Sequence, residues 1–402
     1  MTDWPVKTLG DLCEVSIGGI WGSEAGEDEV DVFVYRSKEL IKDGQLKEQL
    51  TVRRSITTKQ LDSRKLEEGD LLLEKSGGGP KTPVGRVGLV KVLPGLSVCT
   101  NFMQLMRPRK GEVLPIYLHY FLNHFHIAGH TEDLQNNSTN IRNLKTTEYM
   151  AVEIPVPPLD EQKRIVELLD AATARVTELS ACYEKARTHA NNLFTSALRE
   201  ELEGNPDWPV RIIGSVCIGV DRQDPASSGQ SKFTYIDLSA VNQMTKQIDD
   251  FRILDVDEAP GRARQLVKVG DVLVSTVRPN LNAVALVGPE LDGATASTGF
   301  CILRPNRSIV EPGFLFAWSR NQLFIDQVTS QAKGASYPAV TDNIVKALEI
   351  PVPPLDEQKR IVVRLDSMRA KTSEMVAAYD AKLTAAKNLR QSILEAAFAG
   401  QL

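Results

Sequence analysis

The chain has 402 residues, 42% of them hydrophobic and 25% charged, which places it among soluble globular proteins with length enough for two or three domains. No run approaches the roughly 18 apolar residues of a membrane span, and the first residues lack the basic and apolar stretches of a secretory signal, so a cytoplasmic address without membrane contact is expected. The net charge of −5 excludes a uniformly basic nucleic-acid binder, and no segment is basic taken alone: Lys+Arg against Asp+Glu stand at 19 to 20 in 1–152, 6 to 10 in 153–206, 14 to 15 in 207–348 and 8 to 7 in 349–402.

In chain order, Asp3-Trp4-Pro5-Val6 is followed by Gly10 and Cys13, and Glu24 to Asp31 reads as a solvated acidic loop. Strand-like runs at Val30–Tyr35, Asp70–Leu73 and Val87–Val92, with a helical aromatic stretch at 116–127, give a mixed α/β module. Gly77-Gly78-Gly79-Pro80-Lys81-Thr82 resembles a phosphate loop, but Pro80 parts the glycines from the lysine and the required ending fails. His119, His124, His126 and His130 crowd the aromatic stretch, and His126 with His130 has the spacing of a helical metal clamp. The matching helix later in the chain, 314–324, has no histidine, so no metal is expected. Cys13, Cys99, Cys182, Cys217 and Cys301 are odd in number and widely spaced, which predicts reduced, mostly buried thiols.

At Glu153 the character changes. Pro157-Pro158 suits a helix start, and Asp160-Glu161 puts negative charge at the positive end of the helix dipole. Apolar residues then recur in steps of three and four: Ile165, Leu168, Ala172, Val176, Leu179, Tyr183, Ala186, Ala190, Leu193, Ala197. This predicts a coiled-coil seam with one stutter along a helix from about 158 to about 202, roughly 65 Å long. A helix of that length is a spacer. Glu161-Gln162-Lys163 mimics half of a nuclease metal site, but at a first helical turn these side chains splay outward and capping is the expected role.

The rest of the chain repeats this order. Asp207-Trp208-Pro209-Val210, with Gly214 and Cys217, echoes the start at an offset of 204. Phe233–Ile236 and Asp271–Val274 are strand-like, Gly270-Asp271 echoes Gly69-Asp70, and Arg304-Pro305 echoes Arg107-Pro108. Glu349 to Val362 then repeats Glu153 to Val166 letter for letter, and over 153–198 26 of 46 residues recur 196 positions later. Its seam runs through Ile361, Met368, Met375, Tyr379, Ala386, Leu389 and Ile393, with Thr372 and Lys382 as weak spots. Four segments follow: variable 1–152, fixed 153–204, variable 205–348 and fixed 349–402.

A DNA methyltransferase needs a glycine-rich cofactor loop and an Asn- or Asp-Pro-Pro-aromatic tetrad, and the sequence has neither. The repeated Ile-Pro-Val-Pro-Pro-Leu-Asp-Glu-Gln, running into a helix that ends Leu389 to Leu402, resembles the specificity subunits of type I restriction-modification enzymes over the whole chain. The resemblance implies an α+β architecture of two similar mixed α/β target-recognition domains, separated by two long antiparallel coiled-coil helices with pseudo-twofold symmetry. Each domain would read half of a bipartite site in double-stranded DNA. The helices would bind two methyltransferase subunits, with helix-start residues Pro158, Leu159, Glu161, Gln162, Pro354, Leu355, Glu357 and Gln358 facing them, and restriction/translocase subunits would join that core. S-adenosylmethionine, ATP and Mg would belong to those subunits; the chain would carry no cofactor, metal or catalytic residue. DNA-facing side chains are expected after each Gly-Asp strand: Lys75, Ser76, Lys81 and Arg86 in the first domain, Thr276, Arg278, Asn280 and Asn282 in the second. The competing reading is a coiled-coil adaptor or an acidic DNA mimic that reads no sequence.

Overall fold

The computed structural model describes residues 4–41, 44–79, 82–138, 141–203, 205–334 and 336–402. The chain divides into two units, Met1–Tyr183 with Ala381–Leu402 and Glu184–Asp380. Each contains one variable segment, the opening half of the long helix that follows it, and the closing half of the other long helix. The long helices are Leu159–Glu203 and Leu355–Phe398, of 45 and 44 residues. Among the described residues no helix is long and apolar enough to cross a membrane.

The first unit is built on an antiparallel four-stranded sheet in the order Cys13–Gly18, Met103–Pro108, Leu71–Glu74, Val87–Leu89. The second repeats it as Cys217–Ile218, Phe300–Pro305, Val272–Ser275, Val284–Leu286. A smaller sheet in each unit joins a hairpin to a parallel neighbour: Val30–Tyr35 lies beside Ser97–Cys99, and Lys232–Ile236 beside Thr295–Ser297.

The two short echoes now have physical meanings. Val6–Thr8 pairs antiparallel with Glu153–Pro155, and Val210–Ile212 with Glu349–Pro351, so each Trp-Pro-Val start zips onto the opening of its fixed segment. The Gly-Asp and Arg-Pro echoes form one buried ion pair per unit. Gly69 and Gly270 take left-handed φ of 91° and 89°, which favours glycine, and turn the next residue inward. Asp70 then accepts from Arg107 Nε at 2.7 Å, and Asp271 from Arg304 Nε at 3.0 Å. Each aspartate also accepts a backbone N–H, from Glu67 or Lys268, and each arginine donates to a carbonyl, of Lys65 or Leu266.

Each core takes in both long helices. In the first unit Leu71, Leu73 and Met106 of the sheet and Tyr117, Leu118 and Leu122 of helix Pro115–Ile127 pack with Ile165 and Leu169, and with Leu394 and Ala397. Arg164 Nη2 donates to the Leu402 main-chain oxygen while Lys382 stands over the Tyr183 ring, so the two helix segments of this unit run antiparallel. In the second unit Phe314, Leu315 and Trp318 pack with Leu198 and Leu202, and with Ile361 and Leu365, and Arg364 bridges Glu201.

The seam differs from the sequence reading. Leu168, Leu179, Leu193, Met375 and Leu389 are exposed by 39–51%. The inward positions form an unbroken heptad stripe without a stutter: Leu169, Val176, Tyr183, Ala190 and Ala197 alternate with Thr173, Ser180, Arg187, Phe194 and Glu201. The second helix keeps the same phase through buried Leu365, Thr372 and Ala386. Polar residues are accommodated in the first stripe because they find partners there: Arg187 reaches Asp380, and Glu201 reaches Arg364. Lys382, a weak spot in the apolar pattern, lies 5.4 Å from the Tyr183 ring centre.

Candidate nucleic-acid interface

In both units three loops meet at one end of the four-stranded sheet. The first follows the Gly-Asp strand. Lys75 N–H donates to the Phe102 carbonyl in one unit, and Thr276 N–H to the Gly299 carbonyl in the other, each at 2.9 Å. The second loop is therefore the turn before Met103–Pro108 or Phe300–Pro305. The third is a hairpin, Gln135–Ser138 with Ile141–Leu144 in the first unit. Leu144 N–H donates to the Lys75 carbonyl at 2.8 Å and Val340 N–H to the Thr276 carbonyl at 2.9 Å, so the second unit has an equivalent segment at 333–340. Sequence reasoning missed this third loop. The gap-free offset of 196 reaches back into it: Ile141 and Tyr337 are equivalent, and both are exposed, by 49% and 69%.

The eight expected DNA-facing residues divide sharply. Lys75 and Ser76 are half-buried at the rim; Lys75 lies across Gly18, where a β-carbon would stand 3.0 Å from its Nζ. Ser76 Oγ donates to Asn143 Oδ1 of the hairpin. Lys81 lies outside the described residues. Arg86 is half-buried, and its guanidinium is taken up by Glu74 at 2.7 Å and by the Leu40 and Ser37 carbonyls. Thr276 is buried and donates to the Gly299 carbonyl, and Asn282 is buried and donates to the Ser319 carbonyl. These three brace the loops, because their side chains donate to main-chain carbonyls of neighbouring segments. Arg278 and Asn280 are exposed.

The second-unit loop is held in an uncommon conformation. Arg278 and Asn282 bracket the turn Pro279–Leu281 with left-handed φ of 50° and 46°. Among the described residues the one other non-glycine with positive φ is Lys246, at 61°, and its ammonium donates to the carbonyl and Oδ1 of Asn282. Burial, with Arg320 nearby, pushes the Lys246 pKa down to about 8. Left-handed non-glycine residues cost about 1–3 kcal/mol each and persist where surrounding structure overdetermines them. The first unit carries an open cavity of about 510 Å³ lined by Trp21, Arg36, Lys38, Thr100, Asn101 and Phe102, beside the turn before Met103–Pro108.

The histidines hold structural posts. His119 Nε2 lies 2.9 Å from the Gly44 carbonyl, His126 Nδ1 lies 2.8 Å from Thr131 Oγ1, and the His124 ring stacks on Phe398. Among the described residues no group of three or more His, Cys, Asp or Glu is arranged to hold a metal. Cys13, Cys99 and Cys301 are buried, whereas Cys182 is exposed.

Of the helix-start residues, Pro158 and Pro354 are exposed, and Leu159, Leu355, Glu161 and Glu357 are half-buried; the two glutamates pair with Arg164 and Arg360. Gln162 and Gln358 are wholly buried, which corrects their expected partner-facing role. Gln162 Oε1 accepts from Leu114 N–H at 2.8 Å while Nε2 donates to the Glu112 and Pro157 carbonyls. Gln358 makes the same three bonds, from Glu311 N–H and to the Ile309 and Pro353 carbonyls.

The model of the type I restriction modification DNA specificity domain matches residues 1–186 and 266–385. The chain belongs to this family. It is 25% identical over 397 residues to a putative type I restriction enzyme specificity subunit, MjaX, of Methanocaldococcus jannaschii, covering 91% of this chain and 87% of that protein. It is 24% identical to the EcoKI specificity subunit of Escherichia coli, over 85% and 76% of the two chains. Two solved structures share the specificity-subunit fold at 21% identity. One is a chain from a study of complex assembly in the type I R-M system, with a TM-score of 0.78 and coverage of 99% and 98%. The other is the HsdS subunit of Thermoanaerobacter tengcongensis, with a TM-score of 0.60 and coverage of 99% and 97%.

Proposed function

We propose that each unit of this specificity-family chain reads one half of a bipartite, asymmetric site in double-stranded DNA, and that the chain directs methylation or cleavage by other subunits without catalysing either. The observation that carries this reading is the pairing of a constant hydrogen-bond frame with different tips: Lys75, Phe102 and Ile141 stand where the second unit has Thr276, Gly299 and Tyr337. One frame with two sets of side chains suits two unlike half-sites. Two methyltransferase subunits dock on the long helices and restriction/translocase subunits join them; S-adenosylmethionine, ATP and Mg are bound by those partners. The chain purified alone is expected to transfer no methyl group, whereas cells expressing it with its methyltransferase subunits should show one two-part methylated motif by methylome sequencing. Methyl transfer by the chain alone would overturn the non-catalytic reading.

The long helices act as a ruler in this scheme. Inserting four residues near Ala190 adds about one turn, ~6 Å, close to two base pairs at ~3.4 Å each. The spacer in the methylated motif should grow by one or two base pairs while both half-sites stay the same. An altered half-site with the old spacing would contradict it.

A further inference from the structure

Resting on that functional reading, we propose that Arg278 recognises a guanine in the half-site of the second unit and that Tyr337 is its positioning residue. Arg278 is exposed, and its guanidinium carbon lies 4.6 Å from the centre of the Tyr337 ring. Stacking occupies the face of the guanidinium and leaves its in-plane N–H donors free, the set that pairs with O6 and N7 of guanine in the major groove. Among the described residues no carboxylate pairs with Arg278, in contrast to Arg86, whose donors are engaged internally.

The backbone around the pair is fixed from several sides. Arg278 N–H donates to the Pro338 carbonyl at 2.7 Å, so the loop and the segment that carries Tyr337 move as one piece. Val277 bridges Ala339 on the same segment. Gly334 takes φ of 107°, and a β-carbon there would stand 2.9 Å from the Tyr337 carbonyl, so the turn that presents Tyr337 requires glycine. On the far side Lys246 holds Asn282, and Arg369 Nη2 of the second long helix donates to the carbonyl of Thr245 beside it at 2.6 Å. A guanidinium held by stacking on a pinned backbone loses little freedom on binding, which favours base reading over a loose phosphate contact.

The test is methylome sequencing of cells that express the chain with its methyltransferase subunits, comparing R278A, R278K, Y337A and Y337F with the unaltered chain. R278A and R278K should relax one G·C position in one half-site, reducing discrimination there about 5- to 150-fold, the range of a bidentate arginine–guanine contact. Y337A should relax the same position about two- to fivefold, and Y337F should restore it, because the ring supplies the stacking. The other half-site, unchanged, reports that the variant is folded; loss of both by R278A passes the decision to R278K. An unchanged motif with methylation reduced evenly at every site would make Arg278 a phosphate contact and overturn the proposal, as would relaxation at an A·T position. No two-part motif from the unaltered chain would instead overturn the functional reading on which the proposal rests.

Discussion

Replacing Asp271 by Ala is expected to lower the melting temperature of the second unit by roughly 10 °C. Asp271 is 1% exposed and Arg304 6%, and two bonds of about 3 Å join them. Removing one partner of a buried pair costs about 3–5 kcal/mol, because the remaining charge has lost its counterion without regaining water. At about 2–4 °C per kcal/mol for a unit of this size, the shift is large enough for calorimetry of the full chain to resolve. Asp221 still reaches Arg304 Nη1 at 3.1 Å, but it lies at the surface and solvent screens it. The double substitution Asp271→Leu with Arg304→Met should recover part of the loss and not all of it, since Asp271 also accepts the Lys268 N–H. A shift below about 2 °C for the single variant would show that the pair does not organise this unit.

The second large effect is expected on assembly. Leu193 and Leu389 occupy equivalent positions of the two long helices and are exposed by 49% and 51%, as are Leu179 and Met375 by 46% and 39%. Large apolar side chains repeated at matching outward positions on both helices suit a symmetric pair of partners. Leu193→Glu with Leu389→Glu keeps good helix formers at exposed sites, so stability should change by less than about 1 kcal/mol. Binding of methyltransferase subunits should fall by about 100-fold or more, because each buried glutamate would be unpaired at an apolar contact. Co-purification and sedimentation of the double variant beside the unaltered chain measure this directly. A full complement of bound methyltransferase subunits with a normal melting temperature would place their docking surface elsewhere.

Much of the architecture is legible because it is written twice. The letter-for-letter repeat locates both long helices, and the sparse echoes Gly-Asp and Arg-Pro survive between otherwise different segments because they form a buried ion pair in each unit. The seam misleads for a definable reason: the leucines suggest the inward face, yet polar Thr173, Ser180 and Arg187 face in. Leu168 and Leu169 are adjacent in sequence, and only the tertiary core decides that Leu169 is buried. At the loops after the Gly-Asp strands, composition leads to the exposed Arg278 and Asn280 and fails on the direction of other side chains. Arg86, Thr276 and Asn282 are polar residues near a turn, and nothing local distinguishes a loop's internal brace from its outward face. Tyr337 escapes a sequence reading because its partner Arg278 is 59 residues away, and such contacts leave no periodic trace.

The two buried glutamines carry a consequence for how such a chain can change. Beyond its own fixed segment, Gln162 hydrogen-bonds main-chain atoms of Glu112 and Leu114, and Gln358 those of Ile309 and Glu311. These bonds between helix and domain therefore ask nothing of the domain's side chains. Any variable segment that presents one N–H and one carbonyl at the start of its own helix fits the same socket. Different variable segments can therefore be exchanged behind an unaltered coupling, and the outward face of the long helices stays the same whichever segment is attached.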